Sequence, residues 1–358
     1  MARRKQYKKK KKVLVAMSGG VDSSVAALLL KQKGYTVVGM TMCFGIPTDD
    51  GKPRCCGPDA VAHARTVCTK LDIPHHVFDF SRALHDEVIT NFVSEYRAGR
   101  TPNPCVICNK TLKFSILLNK ALSMGFDYLA TGHYAVIATN KKKYYLKKSK
   151  NTKDQTYFLY GIPSTALQKL LFPVGRYTKD EVRALARAGG LPNAENRESQ
   201  DICFIKDPDY HDFMRSQIPS ITDGPIIDTA GTIIGSHKGI CFYTIGQRTG
   251  LNLKTTKIHY VININAQTNT ITVGDKKDLA ASGLIAEQIN LFMPVPDKPL
   301  TAKIRYAHAP APCRATQNNN TLTVRFDESQ QSITPGQSVV LYDADRLIGG
   351  GVIAHVLH

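Results

Sequence analysis

The sequence predicts an α/β fold, a doubly wound parallel sheet followed by β-rich modules, and three observations predict it. Apolar strand patterns alternate with helical patterns from residue 13 onward, the order of a parallel sheet covered by crossover helices. The first strand-to-helix turn is rich in glycine and serine, and in such sheets ligands collect beyond the carboxyl ends of the strands. After about residue 215 the texture changes to short alternating strands separated by turn residues.

The elements follow in order. Val13 to Ala16 suit a short buried strand, Val25, Leu28 and Leu29 recur at helical spacing, and Gly34 supplies a stop signal. "YTVVGMTM" (35–42) is a second strand, "PDAVAHARTVCTKLD" (58–72) a helix, "PHHVFDF" (74–80) a third strand and "ALHDEVITNFVSEYRAG" (83–99) another helix. "DYLATGHYAVI" (127–137) gives a buried strand that ends in a glycine, and "TKDEVRALARAGGL" (178–191) a further helix. Beyond residue 215 the segments "GPIIDTAGTIIG", "HYVININAQTNTITVG", "KIRYAHAPAPC", "NNTLTVRFD" and "QSVVLYDADRLIGGGVIAHVL" form one or two small β-rich modules. The chain thus divides into a basic tail (1–12), an α/β unit (13–215) and β-rich modules at 216–280 and 281–358.

The turn at residues 16–24 reads "AMSGGVDSS". Gly19 and Gly20 let backbone N–H groups approach an anion, and the positive end of the following helix adds its own attraction for phosphate. The string matches neither the lysine-bearing P-loop nor the dinucleotide fingerprint, and two glycines alone would mark only a structural turn. The full "SGGVDS", Ser18 to Ser23, resembles the pyrophosphate-binding loop of the ATP pyrophosphatases, which adenylate a carbonyl oxygen and release pyrophosphate.

Lys and Arg total 47 against 29 acidic residues, a net charge of +18 that points to a polyanionic partner. Eight of these cations, Arg3, Arg4, Lys5 and Lys8 to Lys12, lie in the first twelve residues, as a solvated tail or a nucleic-acid contact. "KKKYYLKKSKNTKDQ" (141–155) alternates basic and aromatic residues, as either an exposed hairpin or a surface that tracks a nucleic-acid backbone. No apolar run approaches the ~20 residues needed to cross a bilayer, and the basic start lacks the apolar segment of a signal peptide. A cytoplasmic location without membrane contact is expected. Nine cysteines in a chain of 358 residues do not form the framework of a small secreted domain and are expected as reduced thiols.

"GRTPNPCVICNKTLKF" (99–114) places Cys105 and Cys108 at CxxC spacing just before a helical pattern. A thiol there is activated by the helix dipole and by Lys110 and Lys113, so Cys108 is a candidate nucleophile; a cysteine turn packed inward and half of a structural zinc site are the alternatives. "RESQDICFI" (197–205) carries Cys203, which by itself reads as a buried small hydrophobe. Vicinal Cys55 and Cys56 suggest a redox-exposed loop, with metal binding as the alternative; Cys43, Cys68, Cys241 and Cys313 are expected to be buried or incidental.

Together, "AMSGGVDSS", "GRTPNPCVICNKTLKF", "ATGHY", "SKNTKDQTYFLY", "FPVGRYTKDEVRALA", "SQDICFI", "YTIGQRTGL" and "TPGQSVVLYD" resemble the bacterial tRNA-specific 2-thiouridylases over nearly the whole chain, in one order. The resemblance implies an adenine nucleotide alpha-hydrolase-like pyrophosphatase domain, a small central domain and a C-terminal β-barrel. It implies ATP-dependent thiolation of C2 of the wobble uridine of tRNA, with Mg²⁺ assisting and sulfur relayed from a cysteine desulfurase. In the same way it implies that Cys203 carries a persulfide, that Cys108 attacks it, and that the pair finishes as a transient Cys108–Cys203 disulfide.

Carried over position by position, Ala16, Met17, Ser18, Gly19, Gly20, Val21, Asp22, Ser23, Met42 and Gly132 match nucleotide-binding positions. Asn103, Pro104 and Cys105 match the segment facing the target base. Lys153, Asp154 and Gln155, then Arg305 and Tyr306, match tRNA-contacting segments, with His133 and Gln337 as further tRNA-side positions. Alone, His133 would equally suit a packed strand-end histidine. Some relatives carry Asp where this chain has Cys105, so Cys105, Cys108 and Cys203 form the alternative of three ligands to a [4Fe–4S] cluster, behind the persulfide route. Two other classes share parts of the pattern. An amidotransferase synthetase would share "SGGVDS" but need an ammonia source, and no glutaminase-length extension precedes residue 13; a non-catalytic RNA-binding protein would not need the loop.

Overall fold

The computed structural model of the chain describes residues 10–47, 53–54, 58–140, 143–196, 202–205, 210–253, 255 and 257–358. Most of the basic tail, together with Cys55 and Cys56, lies outside the described residues. The chain forms two compact units, one of Met1–Leu84, Thr111–Thr156 and Pro163–Gln200, the other of His85–Lys110, Tyr157–Ile162 and Asp201–His358. No helix among the described residues is long and apolar enough to cross a membrane.

The first unit is built on a five-stranded parallel sheet. Its first elements are β1 (Lys12–Ala16), α1 (Val21–Gln32), β2 (Thr36–Cys43) and α2 (Pro58–Lys70). Across the sheet the strands run His75–Asp79, β2, β1, Tyr128–Ala130 and Leu170–Leu171. The order reverses at β1, which puts the loop after β1 at the topological switch point. Val13, Leu14 and Val15 are fully buried, as strands covered on both faces must be. α1 buries nine consecutive-to-neighbouring positions from Val21 to Leu30, and Gly34 takes φ +83 where the chain leaves the helix. The strand expected at 127–137 is Tyr128–Ala130 and ends just before Gly132; a second strand, Ala135–Asn140, then pairs antiparallel with Lys143–Lys148. The basic-aromatic segment is therefore a hairpin strand in which Leu146 is buried and Lys143 and Tyr144 are exposed.

The second unit contains the four-stranded sheet Ile233–His237, Gly224–Ile227, Thr270–Gly274 and Tyr260–Asn265, and a closed barrel. The barrel's six strands are Ala280–Leu291, Thr321–Gln331, Ala311–Asn318, Leu300–Lys303, Ser338–Asp343 and Arg346–Leu357, the last pairing back with the first. Closure leaves no sheet edge, and the interior is filled by Leu284, Val324, Leu341 and Ile353, all fully buried. The helix expected at 83–99 is continuous in chain but not uniform. Ser81–Ala83 leads into a wide π-turn segment, Leu84–Ile89, before regular helix resumes at Thr90–Arg97.

Candidate functional site

The loop after β1 is shaped by its own side chains. Ser18 N–H donates to Ser23 Oγ at 3.2 Å, and the Ser23 and Ser24 hydroxyls both donate to the Gly20 carbonyl at 3.0 Å. Gly20 caps α1 without any side-chain acceptor, so the helix N-terminus keeps its N–H groups for an incoming anion. Two glycines are demanded by close approach. Gly19 has φ +80 and a Cβ there would lie 2.5 Å from the Ala60 carbonyl; a Cβ on Gly132 would lie 2.6 Å from Ser23 N. Gly132 thus lets the strand end press against the first turn of α1. Met42 is the penultimate residue of β2; just before it Thr41 Oγ1 donates to the Met17 carbonyl at 3.0 Å, and Met17 N–H donates to Met40 O at 2.7 Å.

Three residues that sequence reasoning missed complete this loop. Asp22 Oδ1 accepts from Lys179 Nζ at 2.7 Å and from the hydroxyl of Tyr134, which is 2 % exposed, at 2.6 Å. The loop has no lysine of its own, and the fold supplies one from a helix 157 residues downstream. Lys179 opens the helix Lys179–Ala188 after a Thr178–Glu181 capping box, a position where the macrodipole disfavours a cation. The signal in "TKDE" was a box that places a lysine at a helix start for no local benefit. Asn193 is the third: its Nδ2 donates to the Gly19 carbonyl at 2.8 Å and to Ser24 Oγ at 2.9 Å, while its buried Oδ1 has no hydrogen-bond partner.

The tRNA-side positions of the first unit divide by geometry. His133 packs between Phe114 and Phe172, with ring centroids at 5.6 and 5.8 Å, and bonds Thr131 Oγ1 through Nδ1. Burial, helped by the charge of Lys113, pushes its pKa well down, so it is a neutral packed imidazole. Lys153 is exposed. Asp154 turns inward, accepts from Ser149 N–H at 2.8 Å and from the Thr156 hydroxyl, and burial pushes its pKa up. Gln155 accepts from Tyr134 N–H through Oε1 at 2.9 Å, and its own N–H donates to the Tyr134 carbonyl at 2.9 Å. The 149–156 loop is therefore tied to the same tyrosine that holds Asp22.

In the second unit the CxxC segment lies inside a helix and not just before one. Asn103 caps it through Oδ1, which accepts from Val106 N–H at 3.3 Å; Pro104 occupies the first turn, and the chain widens into a π-helix at Cys108–Leu117. The capping proline and asparagine explain why periodicity alone started the helix too late. Cys105 is exposed and Cys108 buried at 8 %. Cys203 is also exposed, contrary to its reading as a buried hydrophobe; Phe204 takes the buried place instead, packed edge-on to Phe92 at 5.4 Å. Neither Cys108 nor Cys203 is disulfide-bonded. Among the described residues no three His, Cys, Asp or Glu side chains gather as a metal site. Cys105, Cys108 and Cys203 are accordingly not gathered as three ligands to a [4Fe–4S] cluster.

Cys43, expected to be a reduced thiol, buried or incidental, is instead disulfide-bonded. Cys68, Cys241 and Cys313 are buried, and burial pushes the Cys68 thiol up to about 11 and the Cys313 thiol up to about 12, which keeps both unreactive. Arg305 does not project to solvent. Its guanidinium donates to the Ile245 carbonyl at 2.9 Å, to the Ser332 carbonyl at 3.2 Å and to Thr334 Oγ1. Tyr306 is the exposed partner, its ring tilted by 40° against Phe158 with centroids 4.6 Å apart and Lys303 Nζ 5.2 Å from its ring centre. Gln337 donates to the carbonyls of Thr101 and Pro102 at 3.0 and 3.1 Å.

A parallel sheet with a helix that begins, without a side-chain cap, inside "SGGVDS" at its switch point defines the first unit as a PP-loop nucleotide-binding fold of the ATP pyrophosphatase class. Family models match along the chain: tRNA methyl transferase HUP domain at residues 11–207, tRNA methyl transferase PRC-barrel domain at 211–275, and aminomethyltransferase beta-barrel domain at 281–353. Among curated proteins the chain is 50% identical to tRNA-specific 2-thiouridylase MnmA 1 of Syntrophus aciditrophicus (strain SB), over 96% of this chain and 92% of that protein. It is 46% identical to MnmA 2 of Clostridium tetani, over 94% of this chain and 97% of that protein, and 45% identical to MnmA of Clostridioides difficile (strain 630), over 94% and 96%. The chain belongs to the tRNA-specific 2-thiouridylase family.

Proposed function

We propose that this chain is a tRNA-uridine 2-sulfurtransferase that adenylates the C2 oxygen of the wobble uridine and replaces that oxygen with sulfur. The observation that carries the proposal is the pairing, in one family member, of an uncapped pyrophosphate loop holding Asp22 with a capped helix start bearing Cys105 and Cys108. A uridine C2 oxygen is a poor leaving group, so ATP must first make it one. The oxygen attacks the α-phosphate, pyrophosphate leaves, and AMP remains esterified to the base. The α1 N-terminus and the Gly19 and Gly20 amides receive the phosphates, with Ala16, Met17, Val21, Ser23, Met42 and Gly132 framing the nucleotide. Mg²⁺, when bound, neutralises phosphate charge. Asp22 fits it: both of its hydrogen bonds fall on Oδ1, leaving Oδ2 as an oxygen donor, and such ions take one or two carboxylates plus substrate phosphates.

Sulfur transfer is assigned to Cys203 and Cys108. A cysteine desulfurase or relay protein leaves a persulfide on Cys203; Cys108 thiolate attacks the inner sulfur, a Cys108–Cys203 disulfide forms, and hydrosulfide is released to displace AMP from C2. An external thiol then reduces the disulfide. Asn103, Pro104 and Cys105 face the base, and Cys105 has no covalent part in this route. On the tRNA side, Lys153 and Tyr306 supply an exposed cation and a stacking face, while His133, Asp154, Gln155, Arg305 and Gln337 shape the segments around them. Thiolation assays with desulfurase, cysteine and ATP test this directly. Cys108→Ala and Cys203→Ala should yield no 2-thiouridine by mass spectrometry, and Cys105→Ala should retain it in air. Activity seen only anaerobically, tracking bound iron and lost in Cys105→Ala, would overturn the persulfide route in favour of a cluster.

A further inference from the structure

We infer that Gln337 is a positioning residue for the cysteine-bearing loop: with Pro335, Gly336 and Thr244 it clamps Thr101 and Pro102 and so fixes where Asn103, Cys105 and Cys108 stand. The inference rests on the sulfur-transfer reading above. Four hydrogen bonds make the clamp. Thr101 N–H donates to the Pro335 carbonyl at 2.9 Å, Gln337 Nε2 donates to the Thr101 and Pro102 carbonyls at 3.0 and 3.1 Å, and the Thr101 hydroxyl bonds the hydroxyl of Thr244. Because proline has no N–H, these bonds engage every polar group of both residues. The first backbone group left to the loop is Asn103, where the helix cap begins.

The barrel turn is built for this contact. Gly336 has φ +89, and a Cβ there would lie 2.8 Å from Thr101 N, so only glycine allows the two backbones to approach. The turn is anchored behind: Gly336 N–H donates to the Ile353 carbonyl at 2.9 Å, and Ile353 N–H donates to the Gln337 carbonyl at 2.8 Å. Arg305 joins the clamp's two jaws, since it bonds the carbonyl of Ile245, next to Thr244, and both Ser332 and Thr334, just before Pro335. Its Nε is buried without a hydrogen-bond partner, a cost that a freely placed surface cation would not bear. Tyr157 closes the arrangement from below, its buried hydroxyl donating to the Ser338 carbonyl at 3.1 Å.

An amide with its NH2 group given to two loop carbonyls has only Oε1 left for RNA. Sulfur transfer, by contrast, depends steeply on where the loop stands, because a misplacement of about 1 Å can cost about 100-fold in rate. Gln337→Met keeps the side-chain length and removes the donors. Three measurements separate the roles: tRNA Kd by filter binding, kcat for thiolation at saturating tRNA, and site-resolved alkylation of Cys108 by iodoacetamide without tRNA or ATP. The expected result is a Kd within about twofold of wild type, kcat lower by about 10- to 100-fold, and faster alkylation of the normally buried Cys108. Thr244→Val leaves the barrel turn untouched and loosens the same loop from the other side, so a folding defect in Gln337→Met does not remove the test. The double variant should show less than the summed loss. A Kd about tenfold weaker with unchanged kcat and alkylation would make Gln337 a direct RNA contact and overturn the clamp, as would no change in any of the three. Alkylation reads the clamp even if thiolation itself fails, so the two proposals fail separately.

Discussion

The nucleotide unit shapes its phosphate loop by contacts within the loop, whereas the cysteine-bearing unit has a loop held by residues 143 and 236 positions away. In the first, Ser18, Gly20 and Ser23 organise one another across five residues or fewer, and Lys179, Tyr134 and Asn193 complete from afar a loop whose shape is already set locally. In the second, Thr101 and Pro102 have no local partners, and a barrel turn supplies them. The difference teaches where each unit is vulnerable. The nucleotide site fails when its own chemistry is changed; the cysteine loop fails when distant packing is changed.

The sharpest way to break that contrast is Asp22→Asn, which removes the charge at the centre of the local site. Pyrophosphate release should fall by about 100- to 1,000-fold while tRNA retention on filters stays within about twofold. Release at a rate near wild type would show that the loop is not the phosphate site. Next comes Lys179→Met, which removes the cation paired with Asp22 at 2.7 Å. It should raise the ATP concentration needed for half-maximal release by about tenfold, with Lys179→Arg recovering part of the loss; an unchanged KM would confine Lys179 to holding the fold.

The two glycines sharpen the comparison at the level of stability. Gly132→Ala and Gly336→Ala each force a Cβ within 3 Å of backbone, against Ser23 and Thr101 respectively. Each should cost about 1–3 kcal/mol in denaturant unfolding. Gly132→Ala should also weaken ATP binding, and Gly336→Ala should instead speed Cys108 alkylation. Identical functional profiles for the two would dissolve the distinction between the sites.

The smallest effect is set by pH. Burial lowers the pKa of His133, and it also lowers those of His75, His237 and His308. A histidine held neutral in the fold takes up its proton more readily when unfolded. Stability is therefore intact above the unfolded value near 6.5 and is lost as pH falls from there toward the folded value. His133 contributes at most about 1.4 kcal/mol per pH unit. Unfolding midpoints at pH 7.5 and 5.5 should differ more for wild type than for His133→Gln; equal differences would mean that the ring is not held neutral.

The sequence by itself determined β1, α1, β2 and the phosphate loop, because strand alternation, helical spacing and "SGGVDS" are all short-range signals written within 30 residues. It also determined that the later chain is β-rich, and the motif order brought the family into view. Only the tertiary structure decided that Lys179, Tyr134 and Asn193 converge on the loop, since they lie 112 to 174 residues from their partners and none belongs to its motif. It likewise decided that Asp154, Gln155, Arg305 and Gln337 turn inward while Lys153 and Tyr306 stay exposed. Neighbouring polar residues are indistinguishable in a string. Which of them is spent on backbone partners depends on which carbonyls the fold has left without one, and that is known only once the strands have closed around them.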